Sequence, residues 1–212
     1  MTSEELKKEN YKKIIDTSKK LFVEKGTKAT TLIEIAREAG VAKKTVSNIF
    51  GTKNNLLFLV MDSLYMDFFV SLDKMIKNEV YQQATGLEQV MQLLVTRAKY
   101  YEKHMNCTKM IFEVEGLVIK NDLEELSCRQ YLKTVEKIAG YYNEPIKKGH
   151  LDGSIKREMD EKAINDLLFF SFGAIAQRLS NIDTNEIMVT QVNTWEIMRS
   201  VLKMVREYLE KQ

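Results

Sequence analysis

Proline is almost missing from this chain, with one residue, Pro145, among 212, and glycine occurs only nine times. So few breakers exclude the turn-dense sandwiches and barrels, which need Gly or Pro at short intervals, and leave long helices. The two cysteines, Cys107 and Cys128, form no CxxC pair, so neither a disulfide scaffold nor a cysteine zinc site is expected. Buried thiols and a redox sensor both remain open. The two histidines, His104 and His150, stand in no HExxH arrangement, and GxSxG and phosphate-binding glycine loops are absent. Catalysis, a metal and any other cofactor are therefore not expected. No apolar run approaches the roughly 18 residues of a membrane span. The start, Met1 to Asn10, lacks a signal peptide's apolar core, so a cytoplasmic protein without a membrane partner is expected.

What is present is a globular composition, 44% hydrophobic and 29% charged, consistent with an all-α protein. The net charge is only +2, but it is unevenly spread. Residues 1–55 carry twelve basic and seven acidic side chains, a net +5, which leaves −3 for the remainder. An anionic partner is expected at the N-terminal end.

The stretch Thr31–Phe50 explains that charge. Thr31 followed by Glu34 is a capping-box signature, Ile35, Ala36 and Ala39 form an apolar stripe, and Gly40 can take the left-handed conformation that ends a helix. Val41 turns the chain into a second segment, Lys43–Phe50, with Val46, Ile49 and Phe50 inward and Lys43, Lys44, Thr45, Ser47 and Asn48 outward. Two helices hinged at a glycine, the second showing basic and hydrogen-bonding side chains, match a helix-turn-helix whose second helix enters the major groove. Spacing alone leaves open a helical hairpin that binds protein instead.

The surrounding residues carry a family resemblance. In order they are Ile14-Ile15, Leu21-Phe22, Lys25-Gly26, Thr31 with Ile35-Ala36, Ala39-Gly40-Val41, Thr45-Val46, Phe50, and Lys53 with Leu56-Leu57. From Ile14 to Leu57 the chain resembles the DNA-binding domain of the TetR (tetracycline-repressor-like) family of transcriptional regulators. The chain departs from the family pattern at three positions. Ala42 stands where a serine usually caps the recognition helix, Lys44 where a glycine is usual, and Ser47 where a tyrosine commonly contacts the DNA backbone. The resemblance implies an N-terminal three-helix helix-turn-helix DNA-binding domain over residues 1–52. A long fourth helix joins it to a C-terminal helical ligand-binding and dimerisation domain over residues 53–212. The expected DNA contacts are Thr31, Lys43, Lys44, Thr45, Ser47, Asn48 and Lys53. Asn48 has the amide suited to an adenine edge, and Lys53 stands at a helix N-terminus that favours phosphate.

Periodicity predicts helices over residues 4–25, 53–77, 87–104, 108–119, 123–148, 160–180 and 185–211. Pro145 kinks or interrupts the helix it falls in, and Lys148–Gly153 reads as a turn. The last two helices have more apolar surface than one intramolecular face requires. Ile164, Leu167, Leu168, Ser171, Ile175 and Leu179 define one stripe, while Phe169, Phe172, Gly173 and Ala176 define another. The final helix adds Val192, Trp195, Met198, Val201, Leu202, Val205, Tyr208 and Leu209. In the family the last two helices typically build a four-helix dimer interface. A homodimer is expected, with Phe172, Gly173, Ala176, Trp195, Met198 and Leu202 at the interface.

The resemblance further implies a small, mostly apolar effector that releases the protein from a double-stranded, pseudo-palindromic DNA operator, repression being the family default. Met61, Tyr65, Phe69, Tyr100, Met110, Phe112, Glu113 and Phe169 are its candidate contacts, drawn from aromatic and methionine side chains that also simply fill helical cores. Glu113 or Glu115, if turned inward, would favour a cationic ligand.

Overall fold

The computed structural model describes residues 2–118, 126–180 and 193–211, without the side chains of Phe112, Leu126 and residues 115–118. The predicted helical positions 119, 123–125 and 185–192, Val192 among them, lie outside the described residues. The described residues form eleven helices and fall into two compact units, one made of Met1–Tyr65 with Lys109–Thr134 and the other of Met66–Thr108 with Val135–Gln212. The protein is all-α, as its breaker-poor sequence implies.

In the first unit, α1 (Ser3–Lys25) starts at a full capping box, in which Thr2 Oγ1 accepts from the Glu5 N–H while Glu5 accepts from the Thr2 N–H. It buries Ile14, Ile15, Ser18, Leu21 and Phe22, a single stripe at helical spacing. Next, α2 (Leu32–Glu38) ends in a Schellman motif. Gly40 takes φ +67°, its N–H donates to the Arg37 carbonyl, and the Val41 N–H reaches back to the Ala36 carbonyl. The following helix, α3 (Lys43–Phe50), buries Val46 and Phe50 completely, and Tyr11 of α1 stacks on Phe50 at 5.1 Å. Helices of seven and eight residues are not stable alone. Burial of Ile14, Phe22, Ile35, Val46 and Phe50, at about 1.5–3 kcal/mol per large side chain, supplies what propensity does not.

Thr52 caps α4 (Lys53–Ile76) by accepting from the Asn55 N–H at 3.0 Å. The first half of α4 buries Leu56, Leu57, Phe58, Val60, Met61, Leu64 and Tyr65. By length and composition it could cross a membrane, with a mean hydropathy of 1.5, although Asp62 and Asp67 break the run in the sequence. The burial of 61% of that stretch accounts for its apolar character within the protein itself. Two further helices complete the first unit in part, α7 (Met105–Val118) and α8 (Leu126–Gly140).

The second unit is built on α6 (Gly86–Lys103), which packs against α5 (Glu79–Gln83), α9 (Asn143–Asp152) and α11 (Thr194–Leu209), while α10 (Glu161–Ser180) packs on α9. The start of α6 meets α9 so closely that a Cβ on Gly86 would lie 2.0 Å from the Gly149 nitrogen and 2.4 Å from the Pro145 carbonyl oxygen. Two of the free N–H groups of α6 are taken by the end of α9 and the turn that follows it, Gly86 N–H by Asp152 and Leu87 N–H by Ser154. Burial works against the Asp152 carboxylate, yet hydrogen bonds from Ser154 and the Gly86 N–H hold its pKa below the usual range. At the other contact of α6, Arg206 of α11 pairs with both oxygens of Glu88 at 2.8 and 3.0 Å.

The structure corrects two expectations here. The predicted turn Lys148–Gly153 is helical up to Asp152, and only Gly153, at φ +77°, leaves the helix. Gly149 allows a helix crossing instead of a turn. Likewise the break near Pro145 precedes it, at Tyr141 and Tyr142, because a proline in the first turn of α9 loses no helical hydrogen bond.

Candidate nucleic-acid interface

On α3 the burial of Val46 and Phe50 fixes what the other face presents. Lys43, Lys44 and Asn48 are exposed, Thr45 and Ser47 half-buried, and no acidic residue lies on the helix. The helix therefore presents two ammonium groups and an amide to solvent, a surface suited to phosphates and base edges. Its N-cap is Ala42, which makes no side-chain hydrogen bond. Ala42→Ser is expected to stabilise the protein by about 1 kcal/mol, read as a higher urea midpoint at unchanged slope.

Thr31 is the N-cap of α2, its Oγ1 accepting from the Glu34 N–H at 3.2 Å. The Glu34 carboxylate pairs with Lys25 at the end of α1, a contact that holds its pKa below the usual range. Lys53 turns back into the unit, its ammonium donating to the carbonyls of Thr27 at 2.9 Å, Thr30 at 3.1 Å and Lys28 at 3.4 Å. It ties the α1–α2 loop to the start of α4. A backbone-carbonyl role of this kind leaves no mark in sequence spacing.

The candidate ligand residues divide between the units. Met61, Tyr65 and Met110 are buried in the first, with Tyr65 and Phe58 both tilted against Tyr131 at 6.0 and 5.9 Å. Glu113 is exposed there and accepts from the Thr27 hydroxyl at 3.0 Å. The side chains of Phe112 and Glu115 lie outside the described residues. In the second unit Phe69 lies under the Lys137 ammonium at 4.2 Å, Tyr100 packs on Phe68 at 5.0 Å, and Phe169 is half-buried beside Arg97.

Two buried polar residues were missed by the sequence reading. Asp62 of α4 accepts from Gln130 at 2.7 Å and Thr134 at 2.5 Å, and Arg97 of α6 is enclosed by aromatic rings. Each is a charged residue on an otherwise apolar helical stripe, the one signal by which they were detectable.

Most of the residues expected at a dimer interface are buried in their own unit. Phe172, Gly173, Ala176, Met198 and Leu202 face inward, and Trp195 is half-buried. What the chain leaves exposed is Leu167 and Phe170 on α10, at 41% and 68%, and Ile197, Met204 and Tyr208 on α11, at 37%, 67% and 53%. His104 lies tilted against Tyr100 at 4.5 Å, His150 lies 3.7 Å from Glu161, and neither Cys107 nor Cys128 forms a disulfide among the described residues. No group of three potential metal ligands stands together among the described residues.

Residues 14–60 match the family described as bacterial regulatory proteins, tetR family. The HTH-type transcriptional regulator HbdR of Aromatoleum sp. (strain CIB) is 38% identical over 64 residues, which are 30% of this chain and 28% of that protein. Similar folds extend over nearly the whole chain. A TetR transcription regulator from Haloarcula marismortui superposes with a TM-score of 0.74 at 16% identity, covering 95% of this chain and 98% of that one. The transcriptional regulator FadR from Bacillus subtilis, in complex with stearoyl-CoA, gives 0.69 at 19% identity over 93% and 98%. With the helix-turn-helix on α2 and α3 inside the matched residues, the chain resembles the tetR family of bacterial regulatory proteins over residues 14–60 and has the fold of these solved regulators over most of its length.

Proposed function

We propose that the protein is a ligand-responsive transcriptional regulator that binds a pseudo-palindromic operator as a homodimer and represses transcription until a small molecule releases it. The observation that carries the reading is α3, whose buried face locks it into the first unit while Lys43, Lys44 and Asn48 remain exposed at its outer face. Residues 1–52 act as the reading head and 53–212 as the ligand-binding and dimerisation part, working in the cytoplasm where the operator is. One short helix makes few base contacts, so two copies related by a twofold axis are needed to specify a site.

The exposed apolar stripes support a second copy as partner. Ile197, Val201, Met204 and Tyr208 recur at helical spacing on α11, and Leu167 and Phe170 are exposed on α10. Met204→Asp, at a position 67% exposed, is expected to turn a dimer into a monomer at micromolar concentration while leaving the helical content unchanged, measured by light scattering and circular dichroism. A monomeric unaltered chain would remove the dimer from this reading.

In this reading release is a population shift. The effector favours a state in which α4 has moved and the two reading heads no longer match the operator spacing, and it acts only through its difference in affinity for the two states. FadR shows that a protein of this fold holds an acyl-CoA.

The test is to select sites from a random duplex pool and titrate the winner against salt. A recovered palindrome whose affinity falls steeply with salt supports the reading. No enrichment from protein stripped of bound ligand by refolding counts against it.

A further inference from the structure

The hairpin of α2 and α3 is held at both its ends by side chains from the first turn of α4. On the entry side stands the loop 26–31, whose last residue, Thr31, is the N-cap of α2. Lys53, the first residue of α4, donates from its ammonium to three carbonyls of that loop, the one on Thr30, at 3.1 Å, lying one residue ahead of the cap. On the exit side the Asn55 amide donates to the carbonyl of Phe50, the last residue of α3, at 2.6 Å.

An ammonium has three N–H donors and no acceptor, and three carbonyls use all of them. Lys53 can therefore reach a phosphate only by giving up the loop. The Phe50 carbonyl stands in the last turn of α3, where helical geometry leaves carbonyls without a partner, so Asn55 meets a demand that the helix itself cannot. Lys53 and Asn55 are both half-buried, which limits the competition from water.

The parts so joined are firm in themselves. The Thr30 hydroxyl, fully buried, donates to the Gly26 carbonyl at 2.9 Å, and the Thr27 hydroxyl donates to Glu113 of α7. Those bonds shape and seat the loop, whereas Lys53 joins it to α4. At the other end the covalent link from α3 to α4 is Gly51 and Thr52, and Gly51 stands at φ +68°. Two residues pivoting at a glycine leave the angle between the helices to packing and to the bonds that span the link.

We propose that Lys53 and Asn55 form a two-point clamp by which α4 sets the position of α3, and that Lys53 serves operator recognition as a positioning residue and not as a phosphate contact. The proposal rests on the DNA-reading role of α3 given above and adds how the fourth helix governs it. Whatever turns the start of α4 turns both ends of the hairpin with it.

The test compares Lys53→Met, which keeps the stem and removes the donors, with Asn55→Ala, which removes an uncharged donor. Fluorescence anisotropy follows both on the selected operator and on random duplex DNA across a salt series. A misplaced reading helix loses base contacts but keeps its charges. Each variant is therefore expected to bind the operator about 10-fold more weakly, with random DNA bound as before and the salt slope unchanged. The ratio of operator to random affinity is the deciding readout, because a fold that is merely weakened lowers the active fraction and reduces both equally.

Lysine acylation of the unaltered chain, read by mass spectrometry, makes the same distinction without a substitution. Lys53 is expected to react slowly both free and on the operator. Lys43 and Lys44, exposed on α3, are expected to react readily when free and to be shielded on the operator.

If Lys53→Met lowers the salt slope by about 1 for each copy and weakens operator and random DNA alike, Lys53 is a phosphate contact and the proposal is overturned. An unchanged ratio in either variant overturns it too, as does a Lys53 that labels as fast as Lys44 and is shielded by the operator. Should Lys53→Met fail to fold, Asn55→Ala and the labelling still decide. If the unaltered chain selects no site at all, the DNA-reading role falls and the clamp with it. A selected site whose preference survives both substitutions removes the clamp alone.

Discussion

Gly86→Ala is expected to destabilise the protein by about 3 kcal/mol, a large part of the 5–15 kcal/mol by which a domain is ordinarily stable. The added Cβ would stand 2.0 Å from the Gly149 nitrogen, 2.3 Å from its Cα and 2.4 Å from the Pro145 carbonyl oxygen. All three are backbone atoms, so no rotamer change relieves the clash, and the two helices must separate. Separation would also pull the Gly86 and Leu87 N–H groups away from Asp152 and Ser154. The matched control is Gly140→Ala at the end of α8, where an added Cβ meets nothing within 4 Å. Urea denaturation of both should show a large loss for the first and a change of about 0.5 kcal/mol at most for the second. Equal stability would mean that α6 and α9 do not cross at these glycines.

Asn48→Ala and Lys44→Ala are expected to weaken binding to the selected operator in distinguishable ways. Asn48 is exposed on α3 and its amide offers the donor and acceptor pair that an adenine edge accepts. Removing it should cost about 1–3 kcal/mol per half-site and relax the sequence preference at one position of each half, while binding to random DNA is unchanged. Lys44, also exposed, supplies charge. Its loss should weaken specific and random DNA alike and lower the salt slope by about 1 for each copy that touches a phosphate. Fluorescence anisotropy across a salt series separates the two patterns. If neither variant changes affinity, α3 is not the helix that reads DNA.

Much of the reading head was legible before any coordinates. Thr31, Gly40 and the apolar positions around them act locally, through a cap, a left-handed residue and a 3.6-residue period, and the structure has α2 and α3 where those signals put them. Lys53 was legible as a position but not in its contacts, since its ammonium reaches carbonyls 23 to 26 residues earlier in the chain. The dimer residues show a different limit. Two apolar stripes were visible on the penultimate helix, but periodicity does not say which one the chain itself covers. The structure buries Phe172, Gly173 and Ala176 and exposes Leu167 and Phe170.

By itself the sequence determined the helical class, the hinge at Gly40, the exposed basic and amide side chains of α3 and the family they resemble, because each follows from residues within a few turns of one another. Only the tertiary structure decided that Gly149 permits a helix crossing, that Lys53 secures a loop and that Arg97 lies buried among aromatic rings. Those depend on which distant backbone or side chain comes to lie opposite, and that is set by packing across the fold rather than by local spacing.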